Sequence, residues 1–181
     1  MTGLGTIIQL IDRVNRSIGD TIAWLAVAMV VLQFGVVVAH YVFGLGSIFA
    51  QEAITYMHGI LFMMAAGYTL LRDGHVRVDI FYARAAPKTK NLINLLGAIF
   101  LLIPVCIIVW WSWWPFVVSS WSVFEGSRET SGIQAIYLLK TIILLFSVLL
   151  GAQGVSLALK SSLALAGHAL PTSDEHSDGA V

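Results

Sequence analysis

Two histidines in the apolar part of the sequence have a type and spacing that could bind a cofactor. His40 lies near the end of the first long apolar run, and His58 lies near the start of the second. If consecutive runs cross a membrane in opposite directions, both imidazoles reach a similar depth, where they could ligate the iron of a b-type haem. A histidine near a helix end also commonly bonds a backbone carbonyl or faces the headgroups. A haem-bearing electron-transfer subunit is therefore one alternative that the sequence leaves open.

Ion-coupled transport by one chain needs a different set of residues. Its coupling groups are ionisable or strongly polar side chains near the middle of the bilayer. The acidic residues of this sequence all lie outside the middle of the apolar runs, at Asp12, Asp20, Glu52, Asp73, Asp79, Glu125, Glu129, Asp174, Glu175 and Asp178. Inside the runs, the strongly polar residues besides the histidines, and besides Lys140 near the start of the fourth, are Gln33 and Gln153, and such amides usually bond a neighbouring helix. We therefore expect coupling groups to come from another chain.

The composition predicts a membrane protein. Of the 181 residues, 58% are hydrophobic and 11% are charged, whereas about 25% are charged in a typical soluble domain. Four apolar runs approach or exceed the roughly 20 residues that cross a bilayer as a helix. Their lack of apolar and polar alternation argues against barrel strands. The predicted fold is an all-α integral membrane bundle of four transmembrane helices, at about residues 21–43, 53–71, 92–114 and 135–159.

Basic residues orient the predicted bundle. Arg and Lys are concentrated before the first run, between the second and third, and just after the fourth, whereas residues 44–51 contain none. The positive-inside rule then places both termini and the middle link in the cytoplasm. Tryptophans agree with this orientation, because their rings collect at membrane interfaces. Trp24 marks the inner interface, and the predicted outer belt comprises Trp110, Trp111, Trp113, Trp114 and Trp121.

The two ends of the chain differ from the four spans. Residues 1–20 carry apolar side chains at helical spacing, with polar ones between them, which predicts a short amphipathic helix at the inner interface. It is expected to lie against lipid, beside the bundle or against a partner. Residues 21–160 form the transmembrane domain, and residues 161–181 are predicted to be a polar, disordered tail.

Small residues indicate where helices pack closely. They recur four residues apart on the second and fourth runs, which lets two backbones approach each other. The contact could lie within this chain or with a second protein. Pro104 is expected to kink the third span, because proline cannot donate the helical hydrogen bond. The spaced small residues are Gly59 and Gly67, with Met63 between them, Ser147 and Gly151, and Gly154 and Ala158.

Two stretches of the sequence carry a family resemblance. The first contains His40-Tyr41-Val42-Phe43-Gly44, Gln51-Glu52, Ala65-Ala66-Gly67 and Arg72-Asp73-Gly74-His75-Val76-Arg77-Val78-Asp79. The second runs from Trp121 to Lys140 and contains Ser131-Gly132-Ile133. Together they resemble the small membrane subunit, or DctQ-type small permease, of tripartite ATP-independent periplasmic (TRAP) transporters. In that family the second helix typically leads into a Gly-His-x-x-Val-Asp element. The resemblance covers roughly residues 7 to 160.

The resemblance implies a division of labour. A soluble periplasmic protein captures the solute, often one that bears a carboxylate, and a large multi-span permease moves it in a sodium-coupled elevator motion. This chain would be a non-catalytic scaffold in the bacterial inner membrane, supporting the large permease and helping to dock the binding protein. It would have no enzymatic activity and no cofactor of its own, since sodium would bind the large subunit. An anchor for another membrane complex is a further alternative.

Position along the chain suggests two sets of contact residues. On the inner side a Gly74 hinge could turn the chain so that charged groups meet lipid phosphates or partner helix ends. This inner set is Arg72, Gly74, His75, Arg77 and Asp79. On the outer side the candidates either meet the binding protein or are solvated loop residues, and Lys140 is expected to reach the headgroups. This outer set is Glu52, Glu125, Ser127, Arg128, Glu129 and Lys140.

Overall fold

The computed structural model describes residues 3–75, 82 and 85–167. Within these residues four helices are long and apolar enough to cross a membrane, and no strand occurs. The prediction of an all-helical protein with four membrane-length helices is therefore confirmed. The helices are α1 (Gly3–Phe43), α2 (Ile48–Leu71), α3 (Pro87–Ser122) and α4 (Ile136–Leu165).

The first helix begins earlier than the first predicted span. Residues 3–20, expected to form a separate amphipathic helix, continue into the span expected at 21–43 without a break. At 1.5 Å per residue, α1 is about 60 Å long. Its N-terminal half packs closely against α2 at Gly19, where an added Cβ would come within 2.2 Å of the Tyr68 ring. This contact packs the N-terminal half of α1 against the bundle.

The buried face of α1 is not the apolar stripe of the sequence. Its buried residues recur at alternating intervals of three and four, which is the spacing of a helix-packing seam. Two of them are polar, and two are glycines. Neighbouring apolar residues such as Leu4 and Ile7 are instead exposed. The seam comprises Gly5, Ile8, Asp12, Asn15 and Gly19.

The third helix accommodates a proline by widening. α3 is α-helical over Pro87–Gly97 and Ile103–Ser122, with a π-helical turn at Ala98–Leu102 between them. Pro104 comes two residues after this turn, and its missing N–H and its ring disturb the usual bonding to the residue four positions earlier. The structure thus has a π turn just before Pro104, where the sequence predicted a kink. α3 also continues to Ser122, eight residues beyond the expected end of the span.

The fourth helix is the centre of the bundle. It packs against each of the other three helices. About a third of the most apolar stretch of α4 is buried, whereas the most apolar stretch of α1 has no buried residue. An added Cβ on Gly154 would come within 2.8 Å of Leu102, and one on Gly151 within 3.3 Å of Cys106. The small residues of α4 therefore serve packing against α3 within this chain. Residues 161–165, predicted to belong to the tail, continue α4, and residues 168–181 lie outside the described residues.

Candidate functional site

A polar cluster joins the N-terminal half of α1 to α4. The Asp12 side chain, 7% exposed, accepts hydrogen bonds at Oδ1 from Gln153 Nε2 at 3.0 Å and from Ser156 Oγ at 2.8 Å. Its Oδ2 forms an ion pair with Lys160 Nζ at 2.6 Å. Both carboxylate oxygens are therefore occupied by groups of α4. We call these residues, together with Asn15, the α1–α4 polar cluster.

Asn15 extends the cluster to α2. Its Nδ2 donates to Gln153 Oε1 at 3.0 Å and to Ile11 O at 3.3 Å, and the residue is 1% exposed. Its Oδ1 lies against the backbone of Gly67, where an added Cβ would be 2.1 Å away. Glycine is needed at this position because α1, α2 and α4 meet there with no room for a side chain.

The cluster contains one residue that the sequence predicted and one that it missed. Gln153 bonds a neighbouring helix, as expected for an amide within a span. Asp12 was expected on the inner side, and its ion pair with Lys160 agrees with that position, but the sequence did not predict its burial beside Gln153 and Ser156. The alternating three- and four-residue spacing of the α1 seam was the available signal for this burial.

At the opposite end of the bundle, Glu52 on α2 holds the loop between α3 and α4. This loop, residues 123–135, donates to Glu52 from Ser127 Oγ at 2.5 Å and from Ile133 N at 2.6 Å. An added Cβ on Gly132 would come within 2.6 Å of the same carboxylate. Glu52 and Ser127, both in the predicted outer set, therefore shape the loop.

Glu125 and Lys140 fasten the same loop to α3 and α4. Lys140 Nζ donates to Glu125 Oε2 and lies 3.8 Å from the centre of the Phe116 ring, while Ser120 Oγ donates to Glu125 Oε2 at 2.7 Å. The hydrogen bond from Lys140, followed by that from Ser120, lowers the pKa of Glu125 below its ordinary value. The Lys140 ammonium thus bonds Glu125. The sequence had instead predicted that this group would reach the lipid headgroups.

This geometry predicts a response to pH. Because the pKa of Glu125 is lowered in the folded state, the contact stabilises the loop at neutral pH and is lost as the pH falls through that lowered value. Tyr137 N donates to Glu125 O at 3.3 Å, so hydrogen exchange at this amide reports on the loop. We expect its protection factor to fall at acid pH. Glu125→Gln, which cannot ionise, should abolish the pH dependence, and a wild-type protection factor that stays constant would contradict the assignment.

The side chains of the remaining outer candidates take no part in these hydrogen bonds, although the Glu129 backbone does, since Glu129 N donates to Ser127 Oγ at 3.1 Å. Arg128 and Glu129 are both exposed. Glu129 lines a polar recess of about 390 Å³ together with Gln51, Glu52 and Thr55 at the start of α2. The structure therefore divides the predicted outer set into residues that shape the loop and residues that its surface presents.

On the predicted inner side, the end of α2 is a left-handed turn at a different residue from the one expected. Gly74 N donates to Thr69 O at 2.8 Å, which is the six-to-one bond of a Schellman motif. The residue with positive φ is Asp73, at 57°, one position before the predicted hinge at Gly74. Aspartate tolerates this conformation better than most residues.

The charged groups around this turn are exposed. Arg72 Nε donates to Tyr68 OH at 3.3 Å, and the guanidinium lies 5.5 Å from the centre of the same ring. His75 is exposed beyond the turn. The last two members of the predicted inner set, Arg77 and Asp79, lie outside the described residues.

The predicted interfacial tryptophans all lie on the surface. Trp110 and Trp114 stack with ring centres 5.5 Å apart, and Trp121 Nε1 donates to Thr141 Oγ1 at 2.8 Å. Trp121 therefore also joins α3 to α4. The exposed set is Trp24, Trp110, Trp111, Trp113, Trp114 and Trp121.

The two histidines of the haem alternative are exposed, and their ring contacts are local. His40 lies edge-on to Tyr41, and His58 stacks on Phe62. Within residues 3–75, 82 and 85–167, no group of three or more His, Cys, Asp or Glu side chains could hold a metal ion.

Four apolar helices, packed through glycines and a buried polar cluster, define a multi-span helical membrane protein. The family model of "Tripartite ATP-independent periplasmic transporters, DctQ component" matches residues 29–165, about three quarters of the chain. The chain belongs to this family, and it is a small permease subunit of a TRAP transporter. No curated protein and no solved structure matches it.

This result confirms the resemblance predicted from the sequence. The match begins within the second half of α1 and continues through α4. Small subunits of this family work with a large permease and a periplasmic binding protein. The family assignment favours transport over electron transfer as the interpretation of this bundle.

Proposed function

We propose that this chain is a non-catalytic scaffold subunit of a sodium-coupled solute uptake system in the bacterial inner membrane. Both termini face the cytoplasm in this proposal, because basic residues are concentrated at the ends and in the link between α2 and α3. The solutes are carboxylate-bearing molecules delivered by a periplasmic binding protein. The large permease moves them and binds the sodium ion.

The observation that carries the proposal is the saturated state of Asp12. A coupling carboxylate must exchange its partners for an ion during transport. The two oxygens of Asp12 are instead satisfied by two hydrogen-bond donors and a cation from α4. This arrangement suits a helix that stays in place while a companion chain moves.

The loop of residues 123–135 supports a role in docking. Glu52, Glu125, Ser127 and Lys140 shape it through internal bonds, so we assign the binding-protein contacts to exposed Arg128 and Glu129. Mixed exposed charges steer an encounter between partners at long range. On the cytoplasmic side, Arg72, Gly74, His75, Arg77 and Asp79 contact lipid phosphates or the large permease in this proposal.

Affinity purification tests the assignment. The tagged chain, co-expressed with the membrane proteins of its host, is expected to retain a multi-span permease. Liposomes that contain both chains and receive the binding protein should accumulate solute when a sodium gradient is applied. Omission of the permease should abolish uptake. The proposal fails if this chain alone drives sodium-dependent accumulation, or if the retained partner is not a multi-span permease.

A further inference from the structure

Gln33 is a polar side chain in the apolar part of α1. It lies twelve residues after Thr21 and ten before Phe43, hence about 15 Å or more along the helix from either position. A glutamine side chain is too short to reach water from this depth. Gln33 is exposed on the surface of the bundle and makes no hydrogen bond to another side chain among the described residues.

The other amide within a span behaves differently. Gln153 is 2% exposed, and both ends of its amide are bonded, to Asn15 and Asp12. Lipid tails offer no hydrogen-bonding group, so an amide left without a partner in hydrocarbon costs free energy. Gln153 meets this requirement inside the chain. For Gln33 the partner must come from another molecule.

Gln33 lies in an open apolar groove at the junction of α1 and α2. The groove has a volume of about 450 Å³, and five of its six lining residues belong to α1. Its walls are apolar apart from the Gln33 amide, so a partner helix would meet one hydrogen-bonding group in an otherwise apolar surface. The groove is lined by Met29, Val30, Gln33, Phe34, Val37 and Ile54.

We propose that this groove binds a transmembrane helix of the large permease, which places a hydrogen-bonding side chain opposite Gln33. The inference rests on the proposed function and assigns a surface of this chain to that partner. A second copy of the chain fits less well, because a symmetric dimer would bring the same concave face against itself. A lipid tail could fill the groove but could not bond the amide.

Gln33→Leu in the complete complex tests the hydrogen bond. Leucine fills a similar volume without the amide, so we expect roughly a three- to tenfold weaker association with the permease in a detergent challenge. The stability of the isolated chain should not fall, since Gln33 bonds no described side chain. Val31→Leu is the matched control, because Val31 is 66% exposed at the same depth and does not line the groove. Equal retention of the permease by both variants would overturn the inference.

A photo-reactive amino acid at position 33 identifies the occupant. An adduct with the combined mass of this chain and the permease supports the proposal. An adduct of twice the mass of this chain, or an adduct with lipid only, overturns it. If the wild-type chain retains no permease at all, the proposed function fails as well. If the wild type retains it and neither test at position 33 responds, only the assignment of this groove fails.

Discussion

Lys160→Met is expected to destabilise the purified chain by about 2–3 kcal/mol. The variant removes the cation that neutralises Asp12, whose side chain is 7% exposed, and leaves a buried carboxylate without its counter-ion. Breaking one side of a fully buried ion pair costs about 3–5 kcal/mol. The expected value is lower because the Lys160 side chain is 26% exposed. Unfolding by titration with sodium dodecyl sulfate, followed by circular dichroism, measures the difference.

Two further variants separate the effect of an unpaired Asp12 charge from the effect of removing any lysine. Lys88→Met removes an exposed lysine at the start of α3 and should change stability by less than about 0.5 kcal/mol. Adding Asp12→Asn to Lys160→Met removes the uncompensated charge and should recover most of the loss. A Lys160 variant no less stable than the Lys88 variant would show that the ion pair does not hold α1 to α4.

Gly67→Ala is expected to destabilise the chain by about 3 kcal/mol, at the upper end of the usual cost of overpacking. The new Cβ would lie 2.1 Å from Asn15 Oδ1 and 3.2 Å from the backbone oxygen of Leu149. Asn15 cannot move aside without losing its bond to Gln153, because that bond anchors its amide. The same detergent titration measures the effect.

Gly35→Ala is the matched control for this substitution. Gly35 also lies within a helix, but no atom outside its own helical backbone and its chain neighbours comes within 4 Å of an added Cβ. Alanine there should leave stability unchanged or raise it slightly, because it favours the helix. Adding Asn15→Ala to Gly67→Ala should show a favourable coupling, since it removes the clashing oxygen. Equal effects at positions 35 and 67 would contradict the packing described.

The four spans could be predicted from the sequence, because length and hydropathy alone define a segment that crosses a bilayer. The residues at which the helices end were harder to predict from the sequence. Hydropathy marks where the chain leaves an apolar environment, whereas a helix ends where its backbone bonding stops. α3 therefore runs on to Ser122, past the expected end at 114, and α1 begins at Gly3.

The polar sites show a similar division. The types of Glu52, Glu125 and Lys140 indicated a charged outer surface, but the path of residues 123–135 decides which groups are used internally. The burial of Asp12 was missed for a related reason. Its polar type suggested an exposed position at the inner interface, and only three-dimensional packing brings it beside Gln153.

The partners within the α1–α4 polar cluster are separated in time as well as in sequence. Asn15 and Asp12 precede Gln153 and Ser156 by 138 to 144 residues in the bonds they form. At ribosomal rates of about 5–20 residues per second, the early residues wait roughly 7–30 s for these partners. A nascent chain that stops before Gln153 carries a carboxylate that α4 has not yet neutralised. Burial of Asp12 therefore has to wait until α4 has been synthesised.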